Sequence, residues 1–263
     1  RTHPLAMARG RASQFYCGIM ADRSAMCWGR GGFGMTGRGS GEAFRNAPAP
    51  VAGDISWAEI TTGRLSACGV STTGVGYCWG SNQRGEIGRA AVPLGGNNDP
   101  ATLTLSPAIL DGGLTWESVV AGWLHACGIS TDREAYCWGD NSRGQLGLGT
   151  IDGDATHRSP APVTGGHKFI QLSLGATHTC GVTIQRQVFC WGENFTGQVG
   201  DGSTADVGTP TQIGGRQRFS YVAAGSDFGV GAGVAPPPDG QQASARHICA
   251  LEPSGEAWWW GWN

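Results

Sequence analysis

Nine cysteines stand among 263 residues, and eight of them fall in pairs ten positions apart: Cys17/Cys27, Cys68/Cys78, Cys127/Cys137 and Cys180/Cys190. Thiols at a fixed spacing can close disulfides, hold a metal, or pack as reduced core groups. Two residues ten apart, each on one strand of a tight hairpin, sit opposite one another. Facing Cα atoms in an antiparallel pair lie roughly 4.5–5.5 Å apart, within the range a disulfide needs. Zinc ligands usually recur two to four apart and converge as four, whereas these pairs would lie on separate units. The spacing fits disulfides best, with reduced core thiols and a metal set as the alternatives. Closing a loop of this size stabilises by roughly 2–3 kcal/mol per bridge on the chain-entropy model, and four bridges imply an oxidising compartment. Cys249 has no partner in frame and is expected as a buried thiol against Trp259 or Trp260.

Other residues that could do chemistry recur in the same frame. His125, His178 and His247 each stand two positions before a first cysteine. Equivalent positions of a repeat are spread over different units, so the three read as structural histidines rather than a metal or catalytic set. Asn82, Asn141 and Asn194 lie in glycine-rich turns, where an Asn side chain can bond nearby backbone. Asp152-Gly-Asp154 is the one acidic cluster resembling a calcium loop, but it lacks the Glu and the spacing of an EF-hand. No GxSxG, Walker, HExxH or kinase signature occurs. No catalytic residue, metal ligand or cofactor-binding residue is assigned, and the chain reads as no enzyme. Trp123 stands where other repeats have Arg64 or Ala176, and an exposed aromatic there would be an interaction anchor.

These residues must be positioned by a repeating unit. Trp-Gly follows each second cysteine, at Trp28, Trp79, Trp138 and Trp191; in a fifth copy Trp259 replaces the cysteine and Trp260-Gly261 follows. Each unit opens on an apolar segment that ends in glycine, as in Trp57-AEITT-Gly63, Trp116-ESVVA-Gly122 and Phe169-IQLSL-Gly175. Two cysteine-bearing segments come next. After a glycine-rich loop, each unit closes on a proline-led strand, as at Pro107-Ala-Ile109 and Pro162-Val163. Proline is tolerated at the start of a strand because it cannot donate to the ladder interior. Four short strands per unit of about 50 residues is the anatomy of a β-propeller blade. Longer connections interrupt the frame around Leu94-GGNNDPATL and Val234-APPPDGQQ, and such insertions map to the rim or faces of the ring. Trp28, Trp79, Trp138, Trp191 and Trp260 are expected at one strand position, similarly buried between adjacent blades.

The segments Cys137-WGDNSRGQLGLG-Gly149 and Cys190-WGENFTGQVGDG-Gly202, with the looser Cys78-WGSNQRGEIG-Gly88, resemble the regulator of chromosome condensation repeat family. Cys27-WGRGGFGMTGRG-Gly39 has lost the Asn. The resemblance covers nearly the whole chain and implies an all-β propeller, typically seven-bladed. Here it spans four complete repeats and a partial fifth (4–56, 57–115, 116–168, 169–218 and 219–263) in one domain, 1–263. The last repeat stops on Asn263, and Pro4-LAMAR-Gly10 aligns with a first strand rather than a fourth. The expectation is a segment of a longer propeller, shaped as an open arc. Paired cysteines make the chain look like exported or surface-displayed members of the family.

Composition narrows the partner. Net charge is −2, so no global field recruits nucleic acid or an anionic membrane. Seven of the 17 arginines lie before Ala47, a patch read as solvated surface. No apolar run approaches the length of a membrane span. The expected function is a non-enzymatic scaffold that grips another macromolecule, most simply a protein, through loops on one propeller face, with no obligate small molecule. Inhibition of a secreted β-lactamase, as in one member the chain resembles, is a sub-case of that scaffold reading, and the resemblance supplies one alternative: guanine-nucleotide exchange on a small GTPase, as in the nuclear founding member. A glycan-acting enzyme working in the propeller channel is the remaining one.

Overall fold

The computed structural model describes residues 6–9, 15–94, 102–153, 156–225 and 247–261. The insertion at 95–101, the Val234-APPPDGQQ stretch, Asp154, Trp262 and Asn263 lie outside the described residues. All regular structure is strand, in five antiparallel sheets. The first holds β1 (Ala6–Arg9), β2 (Phe15–Ile19), β3 (Ala25–Arg30) and β4 (Phe44–Pro50). The second holds β5 (Trp57–Thr62), β6 (Ser66–Ser71), β7 (Gly76–Ser81) and β8 (Leu103–Ile109). The third holds β9 (Trp116–Ala121), β10 (His125–Ser130), β11 (Ala135–Asp140) and β12 (Thr156–Pro162). The fourth holds β13 (Phe169–Leu174), β14 (His178–Thr183), β15 (Val188–Gly192) and β16 (Val207–Ile213). The fifth holds β17 (Tyr221–Ala224), β18 (His247–Leu251) and β19 (Ala257–Gly261). Within each sheet the strands pair in chain order.

Every residue of β6, β10 and β14 is buried, because the second strand of a blade is covered on both faces by its neighbours. The Cys-Gly dipeptide on that strand has a packing cause. A Cβ on Gly69, Gly128 or Gly181 would lie 2.6–2.7 Å from the ring of Trp57, Trp116 or Phe169, the aromatic that opens each blade. The Trp-Gly dipeptide has a backbone cause: Gly80, Gly139 and Gly192 hold φ of 103–108° at a shift of register against the fourth strand. Such bulges re-aim a strand, and glycine carries the positive φ without steric penalty.

The four cysteine pairs face one another in register, and all four disulfides are formed, with Cα–Cα separations of 4.0–4.1 Å. Each closes the hairpin between the second and third strands of its own blade. They call for an oxidising compartment. Cys249 pairs in register with Trp259 but is only half-buried, not the buried thiol expected from the sequence. The fifth sheet has three described strands, and Trp259 on its outer strand is 68% exposed. The thiol is covered from one side only.

The core lies between sheets rather than within them. It forms four slabs, each built from consecutive blades; one slab, for example, joins Cys68, Val70 and Ile87 to Trp116, Val119 and Trp138. The first strands of successive blades pack side by side and so line the axis, and no packing of comparable extent joins the first sheet to the fifth among the described residues. The five blades form an open series.

The in-frame tryptophans divide into two groups, contrary to the uniform burial expected. Trp79, Trp138 and Trp191 are fully buried, whereas Trp28 and Trp260 are half-buried. Each of the three buried indoles fills the slab toward the preceding blade. For Trp28 no preceding blade is present among the described residues, and it stacks instead on Tyr16 at 6.1 Å. Trp260 sits on the outermost described strand of the fifth sheet.

Candidate interaction face

Strand direction decides which loops share a face. The first-to-second strand turns, 63–65, 122–124 and 175–177, lie at the same end as the third-to-fourth strand loops. Hydrogen bonds tie the two sets together: Ser81 N donates to Leu65 O, Asp140 N to Leu124 O and Glu193 N to Thr177 O, each at 2.9 Å. The two longer connections, between β7 and β8 and between β17 and β18, also leave from this end.

The third-to-fourth strand loops are built around the recurring Asn. The side-chain oxygens of Asn82, Asn141 and Asn194 accept from the amides of Ile87, Leu146 and Val199 at 3.2, 3.1 and 2.9 Å. A second anchor follows: Gln145 Oε1 accepts from Arg143 N and its Nε2 donates to Asp140 Oδ2 at 2.7 Å. Gln198 repeats the pattern with Thr196 and Glu193. Blade two exchanges the roles. Ser81 takes the acid position and Glu86 the Gln position, its carboxylate accepting from Arg84 N at 2.7 Å. Full burial pushes the Glu86 carboxyl up to about 7, with the charge of Asp140 acting the same way.

These loops latch each blade to the next. Trp79 Nε1 donates to Met35 O, Trp138 Nε1 to Glu86 O and Trp191 Nε1 to Gln145 O, all at 2.9 Å. Trp260 Nε1 makes no such bond. The histidines do not converge. His125 and His178 are buried at the starts of β10 and β14, while His247 is exposed. His125 Nε2 meets Thr179 Oγ1 of the next blade at 2.9 Å. Burial, and then the nearby His178, hold the His125 pKa down at about 3, so the ring is a neutral inter-blade tie. Asp152 is occupied within its own loop, bonded by His157 and Asn141 at 2.7 Å, and its pKa falls to about 2. Among the described residues no cluster of three potential metal ligands occurs.

The first strands do not share backbone ladders around the axis, so side chains satisfy their edges. Thr61 Oγ1 donates to Val119 O and accepts from Ala121 N, both at 3.0 Å. Gln171 donates to Val222 O and accepts from Val222 N, while Ser173 Oγ accepts from Ala224 N. Beside these ties Glu59 faces inward, and desolvation raises its carboxyl to about 7. Above them opens a cavity of about 190 Å³ lined by Thr61, Val120, Leu174 and Tyr221, with Arg64 and Trp123 at its rim. Arg64 N donates to Gly122 O at 3.1 Å, and a Cβ on Gly63 would collide with that same carbonyl, so the two turns are locked together. The Arg64 guanidinium lies over the Trp123 indole, 4.1 Å from the ring centroid. Trp123 is half-buried by this stack and Arg64 is exposed. Partial desolvation and the neighbouring Arg30 both lower the Arg64 pKa. The sequence marks these two positions as equivalent in successive repeats; that the side chains meet is visible only in the fold.

A family model described as regulator of chromosome condensation (RCC1) repeat matches residues 116–145 and 169–198, and a second model of the same description matches 133–182 and 187–231. The ultraviolet-B receptor UVR8 of Arabidopsis thaliana is 29% identical over 244 residues, covering 90% of this chain and 48% of UVR8. The chain therefore spans about half the length of this curated relative. Among solved structures, human WBSCR16 superposes with a TM-score of 0.76 at 18% identity, covering 99% of this chain and 63% of that one. Prp20p of Saccharomyces cerevisiae, a protein with binding properties toward Gsp1p and histones, gives 0.74 at 18% identity, covering 95% and 56%. With the five antiparallel sheets and the Trp-Gly latches, these matches show regulator of chromosome condensation repeats between residues 116 and 231 of a β-propeller whose first four blades are each braced by a disulfide.

Proposed function

We propose that this propeller is a non-enzymatic scaffold, exported or displayed at a cell surface, that grips a protein partner through the face carrying Trp123. The observation that carries this reading is the aromatic–guanidinium stack at the rim of the axial cavity. It presents a large rigid side chain and a cation on loops held by backbone contacts, the character of a binding hot spot. The recorded binding of Gsp1p and histones by Prp20p supports a protein as the partner class, and the disulfides support an oxidising location.

Site-specific photo-crosslinking tests the reading. A crosslinker at Ala176, on the Trp123 face, is expected to trap a protein from the secreted or surface fraction; one at Arg186, on the other face, is not. Trp123→Ala should weaken capture by at least about tenfold, as expected for a truncated hot spot. Equal trapping from both faces, or capture unaffected by Trp123→Ala, overturns it. The alternative, guanine-nucleotide exchange on a small GTPase, draws on the likeness to Prp20p and is read by release of labelled GDP from a GTPase. A glycan-acting enzyme has less support: retaining and inverting hydrolysis both use two carboxyl groups, and among the described residues Glu59 is the one first-strand carboxyl with a raised pKa.

A further inference from the structure

We propose that the Arg64–Trp123 stack is a binding site for a carboxylate, the side chain of an aspartate or glutamate projected by a protein partner into the rim of the axial cavity. This inference rests on the face assignment above and names the chemistry that face recognises.

The stack is built before any partner arrives. The Arg64 N–H to Gly122 O bond and the close approach of Gly63 to Gly122 fix the two turns, so ordering the guanidinium is largely complete in the free protein. Stacking uses the flat face of the guanidinium and leaves its N–H edge available. Among the described residues no carboxylate pairs with Arg64, although Arg38, Arg45, Arg133, Arg143 and Lys168 all have acidic partners. Arg30 lies close enough to press on the same charge. A guanidinium held flat against an indole forms a local positive site on a chain of net charge −2. A carboxylate matches a guanidinium edge in two parallel hydrogen bonds.

The cavity beneath selects what carries the carboxylate. Its polar groups, Thr61 Oγ1, Gln171 and Ser173 Oγ, are already committed to ties between first strands. Val120, Leu174 and the Trp123 indole in the same lining offer apolar surface to the methylene stem of an acidic side chain. A nucleic acid strand is favoured less, because it is held by rows of cations along a groove and here the stack presents one guanidinium at one point.

The test uses the whole chain and a fluorescently labelled hexaglutamate peptide, read by anisotropy at low salt. Saturable binding is expected, weakened at least tenfold in Arg64→Gln. Arg64→Lys keeps the charge but loses the flat fork, and is expected to restore less than half of that loss. Arg64 is exposed, and matching melting curves show that the two variants are folded. Equal affinity of wild type and Arg64→Gln overturns the proposal. So does tighter binding of a labelled oligothymidylate than of hexaglutamate, or displacement of the peptide by inorganic phosphate at the peptide's own concentration. The crosslinking experiment keeps the two readings apart. If Ala176 still traps its partner from Arg64→Gln as from wild type, the face binds protein but the carboxylate site is wrong; if Ala176 traps nothing while hexaglutamate binds through Arg64, the reverse holds.

Discussion

Glu86 shows how one residue can carry a pH dependence for the fold. Its equivalents in blades three and four are Gln145 and Gln198, which need no proton to be buried. Glu86 sits in the same fully buried turn with its carboxyl raised to about 7, against an unfolded value near 4.5. A raised folded pKa means the native state holds the proton more tightly. Its contribution is therefore complete below about pH 4.5 and is lost as pH rises through about 7. The expected size is on the order of 3 kcal/mol between the two limits. Glu86→Gln should leave stability at pH 4 nearly unchanged and raise it by about 2–3 kcal/mol at pH 8, measured by urea unfolding at both. A parallel pair of pH profiles for the two proteins would refute it. That blade two carries Ser81 and Glu86 where blade three carries Asp140 and Gln145 can be seen by aligning the repeats. Its consequence needs the burial, which the alignment does not contain.

At the scale of the element, the hairpin between second and third strands has one demanding position. Six residues after each first cysteine the backbone is left-handed: Arg23, Arg133 and Arg186 hold φ of 64–69°, and the equivalent Gly74 and Gly255 hold 82° and 91°. A side chain there costs roughly 1–2 kcal/mol that glycine avoids, offset in part by glycine's greater freedom when unfolded. Arg133 recovers some of this through Glu117. Arg186→Gly is accordingly expected to raise stability by about 0.5–1 kcal/mol, seen as a shift in the denaturation midpoint at unchanged m-value; a lower midpoint would contradict it. The hairpins themselves were plain in the sequence, because spacing, Cys-Gly and Trp-Gly each have a local cause. Contacts such as Thr61 with Val119, Gln171 with Val222 and Arg64 with Trp123 were not. They join residues more than 50 apart, and a repeat pattern states which positions are equivalent without stating which of them touch.

Across the whole molecule, stability resides in the slabs between blades, so neighbours depend on one another more than on distant blades. The expectation of equally buried tryptophans failed for this reason. Trp79, Trp138 and Trp191 are buried by the blade before them, and Trp28 has none among the described residues. Trp138→Ala should cost about 3–5 kcal/mol and remove the Glu86 latch in the middle of the array. Unfolding followed by near-ultraviolet circular dichroism is then expected to split into two transitions. Trp28→Ala should cost less and leave one transition. Equal effects of the two would show that burial between blades is not what holds the array.

The disulfides bear on the molecule in a different way when it is pulled. Each encloses its hairpin turn and leaves the slabs to either side untouched, so a load applied along the chain would part blade from blade before it met a covalent bond. The freed chain would then come up short, because the loop behind each bridge cannot pay out. Ten residue steps of extended chain, less the span of the bridge, is about 30 Å of slack withheld per blade. With its bridges closed, the protein is a tether that yields in steps while keeping part of its length in reserve, and a reducing environment would release that reserve without altering the interfaces that set the force.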